Sequence, residues 1–170
     1  NDLSDEAITR TVRESERLAT LAPDDPEAMP ELEKQDYAKV SAWFDVTANN
    51  SASDRAKVAL TALDPARKSG DVIASGFLIT NAGYSAIANQ KGMFAYHRST
   101  SANYQLTVRT RDGTGSGWAA ADHPDWTQID FADIARRAIG KARASSRPAK
   151  VEPGRYTVIL EAQAVGDIVQ

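Results

Sequence analysis

Residues 106–118 read Leu-Thr-Val-Arg-Thr-Arg-Asp-Gly-Thr-Gly-Ser-Gly-Trp, and they describe a β-hairpin. Leu106, Val108 and Thr110 alternate with Thr107, Arg109 and Arg111, as on a strand with one apolar and one cationic face. Asp112-Gly113 is a tight-turn signal. Gly115 and Gly117 fall where the next strand begins, ahead of Trp118. Glycine there implies a bulge or the close approach of another backbone, because no side chain fills the space.

Upstream of the hairpin the pattern stays strand-like. Val72–Thr80, Tyr84–Asn89, Met93–Arg98 and Tyr104–Arg111 are predicted strands, with turns at Asn81-Ala82-Gly83 and Gln90-Lys91-Gly92. Before them, Ala56, Ala59, Leu60 and Leu63 stand at i, i+3, i+4 and i+7, predicting a helix near 53–66 that Gly70 closes. Val40, Trp43 and Phe44 form an aromatic-rich cluster expected to be buried. Pro23, Pro26 and Pro30 interrupt an acidic arm that reaches about residue 36. A helix near 4–20 opens the chain, with cap residues and early carboxylates at its start.

Downstream, Ser116–Ala121 is a strand, and His123-Pro124-Asp125-Trp126 is irregular. A helix near 130–145 places Ile134, Ala135, Ala138, Ile139 and Ala142 opposite Arg136, Arg137, Lys141 and Arg143. Ser145–Pro148 is a linker, and Tyr156–Leu160 reads as one more strand. Grouped strands predict an α+β fold, an antiparallel sheet of about five strands packed with helices. The chain begins at Asn1 without a methionine and ends at Gln170 within a helical pattern, so it is read as part of a longer protein.

Composition narrows the chemistry. With 170 residues and ordinary hydrophobic content, the chain has material for one real core. A net charge of -3 gives no general attraction to DNA or anionic membranes. The absence of cysteine excludes disulfides, thiolate metal sites and cysteine nucleophiles, and is consistent with a cytoplasmic protein. No apolar run approaches the roughly 20 residues of a membrane span.

The residues bear on four chemistries. Asp122-His123-Pro124-Asp125 sets carboxylates beside an imidazole, but metal sites draw ligands from spaced elements, and a polar loop explains the run better. His97, the other histidine, sits on a strand, and HExxH is absent. The glycines at 113, 115 and 117 lack the Lys-Ser/Thr of a phosphate loop. Arg136, Arg137, Lys141, Arg143, Arg147 and Lys150 make a basic face that nucleic acid would favour, with a solvated helix face as the plainer account. Finally, Arg109 and Arg111 beside the glycine-rich turn suit an extended peptide added as a strand at an exposed edge, the arginines meeting carbonyls or carboxylates, with solubilisation of the outer sheet face as the plainer account. The candidate substrate-binding residues are therefore Arg109, Arg111, Asp112, Gly113 and Gly115, with no catalytic residue and no metal ligand.

Asp112–Trp118 and Pro153-Gly154-Arg155-Tyr156-Thr157-Val158-Ile159-Leu160-Glu161 together resemble the TldD/PmbA family of metalloproteases, also labelled modulators of DNA gyrase. Ala88-Asn89-Gln90-Lys91-Gly92, Ile129-Asp130 and the Ala138, Lys141, Ala142 helix face extend the resemblance. It implies that 1–36 is the remnant of an N-terminal domain helix and linker, 37–150 a central α+β domain and 151–170 the start of a C-terminal domain. The family pairs zinc-bearing subunits, which carry an HExxxH-type helix, with subunits that lack it. The corresponding segment here, Glu161–Val169, has no histidine, so the parent resembles the kind without zinc. The implied role is a non-catalytic portion of a peptidase-family protein acting in proteolysis or peptide maturation, inactive alone, shaping a substrate chamber and subunit contacts. Its expected partners are a peptide or unfolded-protein substrate and a second subunit, identical or related. No cofactor is expected in this chain, and zinc would belong to a partner or a zinc-bearing relative. The alternatives are a nucleic-acid- or protein-binding module without activity, and a hydrolase built on Asp122, His123 and Asp125.

Overall fold

The computed structural model describes residues 2–170. Two compact units emerge, one of Asn1–Ala38 with Ala86–Ala95 and one of Lys39–Ser85 with Tyr96–Gln170. In the first, α1 (Asp5–Ala19) starts where the Ser4 hydroxyl accepts from Ala7 N–H, and Asp5 and Glu6 occupy its first turn. Only Ala7 is buried; Ile8, Val12 and Leu18 remain exposed. The second part of this unit is a strand-to-strand turn. Asn89 Oδ1 accepts from Lys91 and Met93 N–H, Gly92 takes a left-handed φ of 82°, and Asn89 Nδ2 donates to Leu32 O at 2.8 Å. The Asn-Gln-Lys-Gly run is thus a turn whose side chain also holds the proline-rich arm.

The second unit carries the core. It contains the short α2 (Asp45–Ala48) and then α3 (Ala52–Ser69), which begins with a capping box between Ser51 and Asp54 and ends at Gly70 with φ 72°. The sheet order is β1 (Val72–Ala88), β2 (Phe94–Thr110), β3 (Ser116–His123). β2 and β3 are antiparallel, with Arg109 opposite Ser116 and Thr107 opposite Trp118. A 3-10 turn, Trp126–Gln128, leads to α4 (Phe131–Ala144), capped by Asp130, whose carboxylate accepts from Asp133 N–H. α5 (Ala162–Val169) closes the chain.

α3 and α4 cover one face of the sheet. Ala102, Tyr104, Leu106 and Val108 of β2 point into that layer and are buried with Ala62, Ala66, Ile134, Ala135, Ala138 and Ala142. Tyr104 meets Phe131 edge-on at 5.0 Å between centroids. The seam between β3 and α4 is made of small residues. A Cβ on Gly117 would stand 2.2 Å from Ala138 O, and one on Gly115 would stand 2.1 Å from Ala142 O. The expected close backbone approach is therefore real, and the approaching backbone is α4.

The α+β class with an antiparallel sheet and packed helices holds, but the sheet has three strands rather than about five. Asn81-Ala82-Gly83 is not a turn: Gly83 does not adopt positive φ, and β1 runs through it. β2 likewise continues through Ser99-Thr100-Ser101. The residues at 81–83 lie on the exposed part of the ribbon, and Thr100 is buried with hydrogen-bond partners of its own; neither run breaks the chain direction. Tyr156–Leu160 is not a strand either. Its apolar alternation is present, but no strand among the described residues pairs with it, and Ile159 is 99% exposed. Tyr37 and Val40 are exposed rather than clustered in a core. Trp43 and Phe44 are half-buried, with the Arg98 guanidinium 4.8 Å from the Trp43 ring centroid.

Two buried polar side chains tie the irregular segments to this unit. Thr100 accepts from Phe44 N–H through Oγ1 and donates to Pro124 O, while Thr47 Oγ1 accepts from Trp126 N–H. Each meets the rule that a buried hydroxyl keeps a partner.

Candidate functional site

The hairpin between β2 and β3 is held by its own side chains. Asp112 Oδ1 accepts from Thr110 Oγ1 at 2.6 Å, from Thr114 N–H and from Thr114 Oγ1. The Thr110 hydroxyl first, then the Thr114 amide, hold the Asp112 carboxyl below its ordinary range. Gly113 has φ 75°, the left-handed conformation that the turn demands. Gly115 donates its N–H to Thr110 Oγ1 and is buried under the end of α4. Arg111 turns away from the sheet and donates through Nε to Gly70 O at 2.7 Å, where it meets an open carbonyl at the end of α3. Asp112, Gly113, Gly115 and Arg111 thus build and anchor the turn.

Arg109 is placed differently. It lies on the face of the sheet opposite the helices, in phase with Asn103, Gln105 and Thr107. That face is open around Ile73, Phe77 and Arg109, while Ile159–Glu161 and α5 stand beside Gln105 and Trp118. Ile73, Ser75, Gly76 and Phe77 of β1, Gln105, Thr107, Arg109 and Thr110 of β2, and Trp118 of β3 line a shallow hollow of about 580 Å³. Ile73 and Phe77 are 56% and 48% exposed, and Ile79, Tyr84 and Ile87 further along β1 are exposed too. The sequence pointed to Arg109, and Gln105 and Thr107 follow from the same two-residue period. Ile73, Ser75, Phe77 and Trp118 arrive from neighbouring strands, and only pairing register could have brought them in.

The edge of β3 beside the hairpin is already occupied. Ser145 Oγ accepts from Ser116 N–H and donates to Ser116 O, and Lys141 Nζ donates to Trp118 O. β2 is the central strand and has no free edge. The other edge of the sheet is that of β1.

The basic face of α4 is largely neutralised. Arg136 and Arg137 both reach Asp133, Lys141 pairs with Glu161, and Arg143 grips Asp71 with two hydrogen bonds of 2.8 and 2.9 Å. The Arg143 guanidinium, helped by the Ser69 hydroxyl, holds the Asp71 carboxyl far below its ordinary range. The Lys141 ammonium does the same, more mildly, for Glu161.

His123 does not gather ligands. Its Nδ1 faces the backbone of Asp125, and its ring stands 6.5 Å from Phe44. The Asp125 carboxylate instead accepts from the Thr127 amide and hydroxyl as the cap of the 3-10 turn. Among the described residues no three His, Cys, Asp or Glu side chains converge as a metal site would require. No helix among them is long and apolar enough to cross a membrane.

The second unit is thus an α+β fold with helices packed on one face of an antiparallel sheet. The chain belongs to the TldD/PmbA family: residues 24–146 match the PmbA/TldA metallopeptidase central domain. Among solved structures, a Thermotoga maritima protein described as a candidate modulator of a DNA gyrase is similar in fold, with a TM-score of 0.64 at 16% identity. The likeness covers 82% of this chain and 33% of that one. No curated protein matches the chain. A metallopeptidase family implies zinc, but the residues here do not fit it. Of the two histidines, His123 is engaged with backbone and His97 is an exposed residue of β2.

Proposed function

We propose that this chain is a non-catalytic, substrate-shaping portion of a peptidase-family protein acting in proteolysis or peptide maturation in the cytoplasm. The observation that carries the reading is the outer face, where Arg109, Gln105, Thr107 and Trp118 surround exposed Ile73 and Phe77. An extended peptide or unfolded segment would lie across this face, with Arg109 as the main contact. Arg111, Asp112, Gly113 and Gly115 would contribute by fixing the rim from which Arg109 projects. Hydrolysis and any zinc would come from other parts of the protein or from a paired subunit, identical or related, since no metal ligands converge among the described residues.

The nucleic-acid reading gains no support from the pairing of the α4 cations with Asp133, Glu161 and Asp71. The direct test combines zinc determination by elemental analysis with turnover of a labelled unstructured peptide by the 170-residue chain. Peptide binding without stoichiometric zinc and without turnover is expected. Stoichiometric zinc accompanied by turnover would overturn the proposal.

A further inference from the structure

We infer that the outer-face hollow selects an extended peptide through an internal aspartate or glutamate held by Arg109, with an apolar residue two positions away resting on Ile73 and Phe77. This rests on the peptide-binding reading above and adds the substrate class. Among the described residues Arg109 is the one charged residue lining the hollow, and the carboxylates of Glu161 and Asp167 line a neighbouring hollow that shares Gln105 and Trp118. The neighbouring cations are already committed: Arg111 to Gly70 O, Arg143 to Asp71 and Lys141 to Glu161. Arg109 forms no ion pair among the described residues. In a chain of net charge -3, a solitary arginine beside exposed isoleucine and phenylalanine is complementary to a ligand that brings both a carboxylate and an apolar side chain.

The shape of the hollow favours an internal acidic residue over a chain terminus. Every lining residue lies on a strand of the sheet; Ile159–Glu161 and α5 stand beside the Gln105 and Trp118 side, and the β1 side runs on along the exposed strand. A peptide can cross and continue. In an extended peptide, residues two apart share one face about 7 Å apart, which lets a carboxylate and an apolar side chain reach the sheet together. The hydroxyls of Ser75 and Thr107 stand among these contacts and suit the peptide's own backbone.

Fluorescence anisotropy with the 170-residue chain tests this with three labelled ten-residue probes of Gly, Ser and Ala. The first has an internal Leu-Thr-Glu and an amidated end, the second has Gln in place of Glu, and the third keeps Gln and has a free C-terminal carboxylate. At low salt the Glu probe is expected to bind about two- to fivefold more tightly than either Gln probe, the range of a single exposed charge pair. That preference should vanish in Arg109→Gln and survive in part in Arg109→Lys, both with unchanged thermal unfolding. Equal affinity for the Glu and amidated Gln probes, preference for the free terminus, or a preference that persists in Arg109→Gln would overturn the inference while leaving peptide binding intact. No binding of any probe would overturn both.

Discussion

β2 carries two different proteins on its two faces. Ala102, Tyr104, Leu106 and Val108 are at most 2% exposed, packed beneath α3 and α4. One residue out of phase, Asn103, Gln105, Thr107 and Arg109 face the other side. The buried face is apolar and filled, so its residues set stability. The other face is polar and half-buried to exposed, so its residues contribute less to the fold. The same division recurs on β3, where Gly117 and Ala119 press against α4 while Trp118 turns outward.

The sharpest way to break this comparison is to truncate adjacent residues of β2. Leu106→Ala, at a site with no exposure, should lower stability by about 2–5 kcal/mol. Thr107→Ala should stay within roughly 0.5 kcal/mol. Urea denaturation of both variants measures this, and similar losses would erase the distinction between the faces. Next in size is the seam with α4. Gly117→Ala would force a methyl group toward Ala138 O and Ala142 N, and should cost about 1–3 kcal/mol by the same assay. Indifference there would mean that α4 can move away from β3 freely.

Smaller again is the turn. Gly113→Ala, at φ 75°, should cost about 1 kcal/mol from left-handed strain alone and weaken peptide binding only by loosening the rim around Arg109. The smallest expected effect is the pH dependence of the Asp71–Arg143 clamp. The folded-state pKa of Asp71 lies below its ordinary value of 3.8. Its contribution is therefore full above about pH 4 and disappears as pH falls through the depressed folded value. The difference in thermal midpoint between wild type and Asp71→Asn should accordingly be present at pH 7 and shrink in acid; a difference independent of pH would locate the effect elsewhere.

Much of the helical framework was legible because caps are local. Ser4, the Ser51–Asp54 box, Gly70 and the Asp130–Asp133 pair each announce a helix end within a few residues. Strand length was not legible in that way. Asn81-Ala82-Gly83 has turn composition, but a turn also needs a backbone that reverses, and here solvent on the ribbon allows polar residues to remain extended. Tyr156–Leu160 shows the converse, strand composition without a ladder to join. For the candidate site, alternation marked Arg109, and the turn signal marked Asp112 and Gly113. The attachment of Arg111 to Gly70 O, and the arrival of Ile73 and Phe77 beside Arg109, depend on pairings distant in sequence. Likewise Lys141 and Arg143 of α4 read as free in sequence, because Glu161 and Asp71 lie far from them along the chain, whereas Asp133, which pairs with Arg136 and Arg137, is one turn away.

The most direct measurement is a titration of the ¹⁵N-labelled chain with the unstructured Glu-containing peptide, followed by amide chemical shifts. The expected result is a set of perturbations concentrated at Ser75, Phe77, Gln105, Thr107, Arg109 and Trp118, with the helix α4 amides nearly still. Perturbations confined to α4, or to the edge of β3 at Ser116, would contradict the assignment of the outer face as the binding surface.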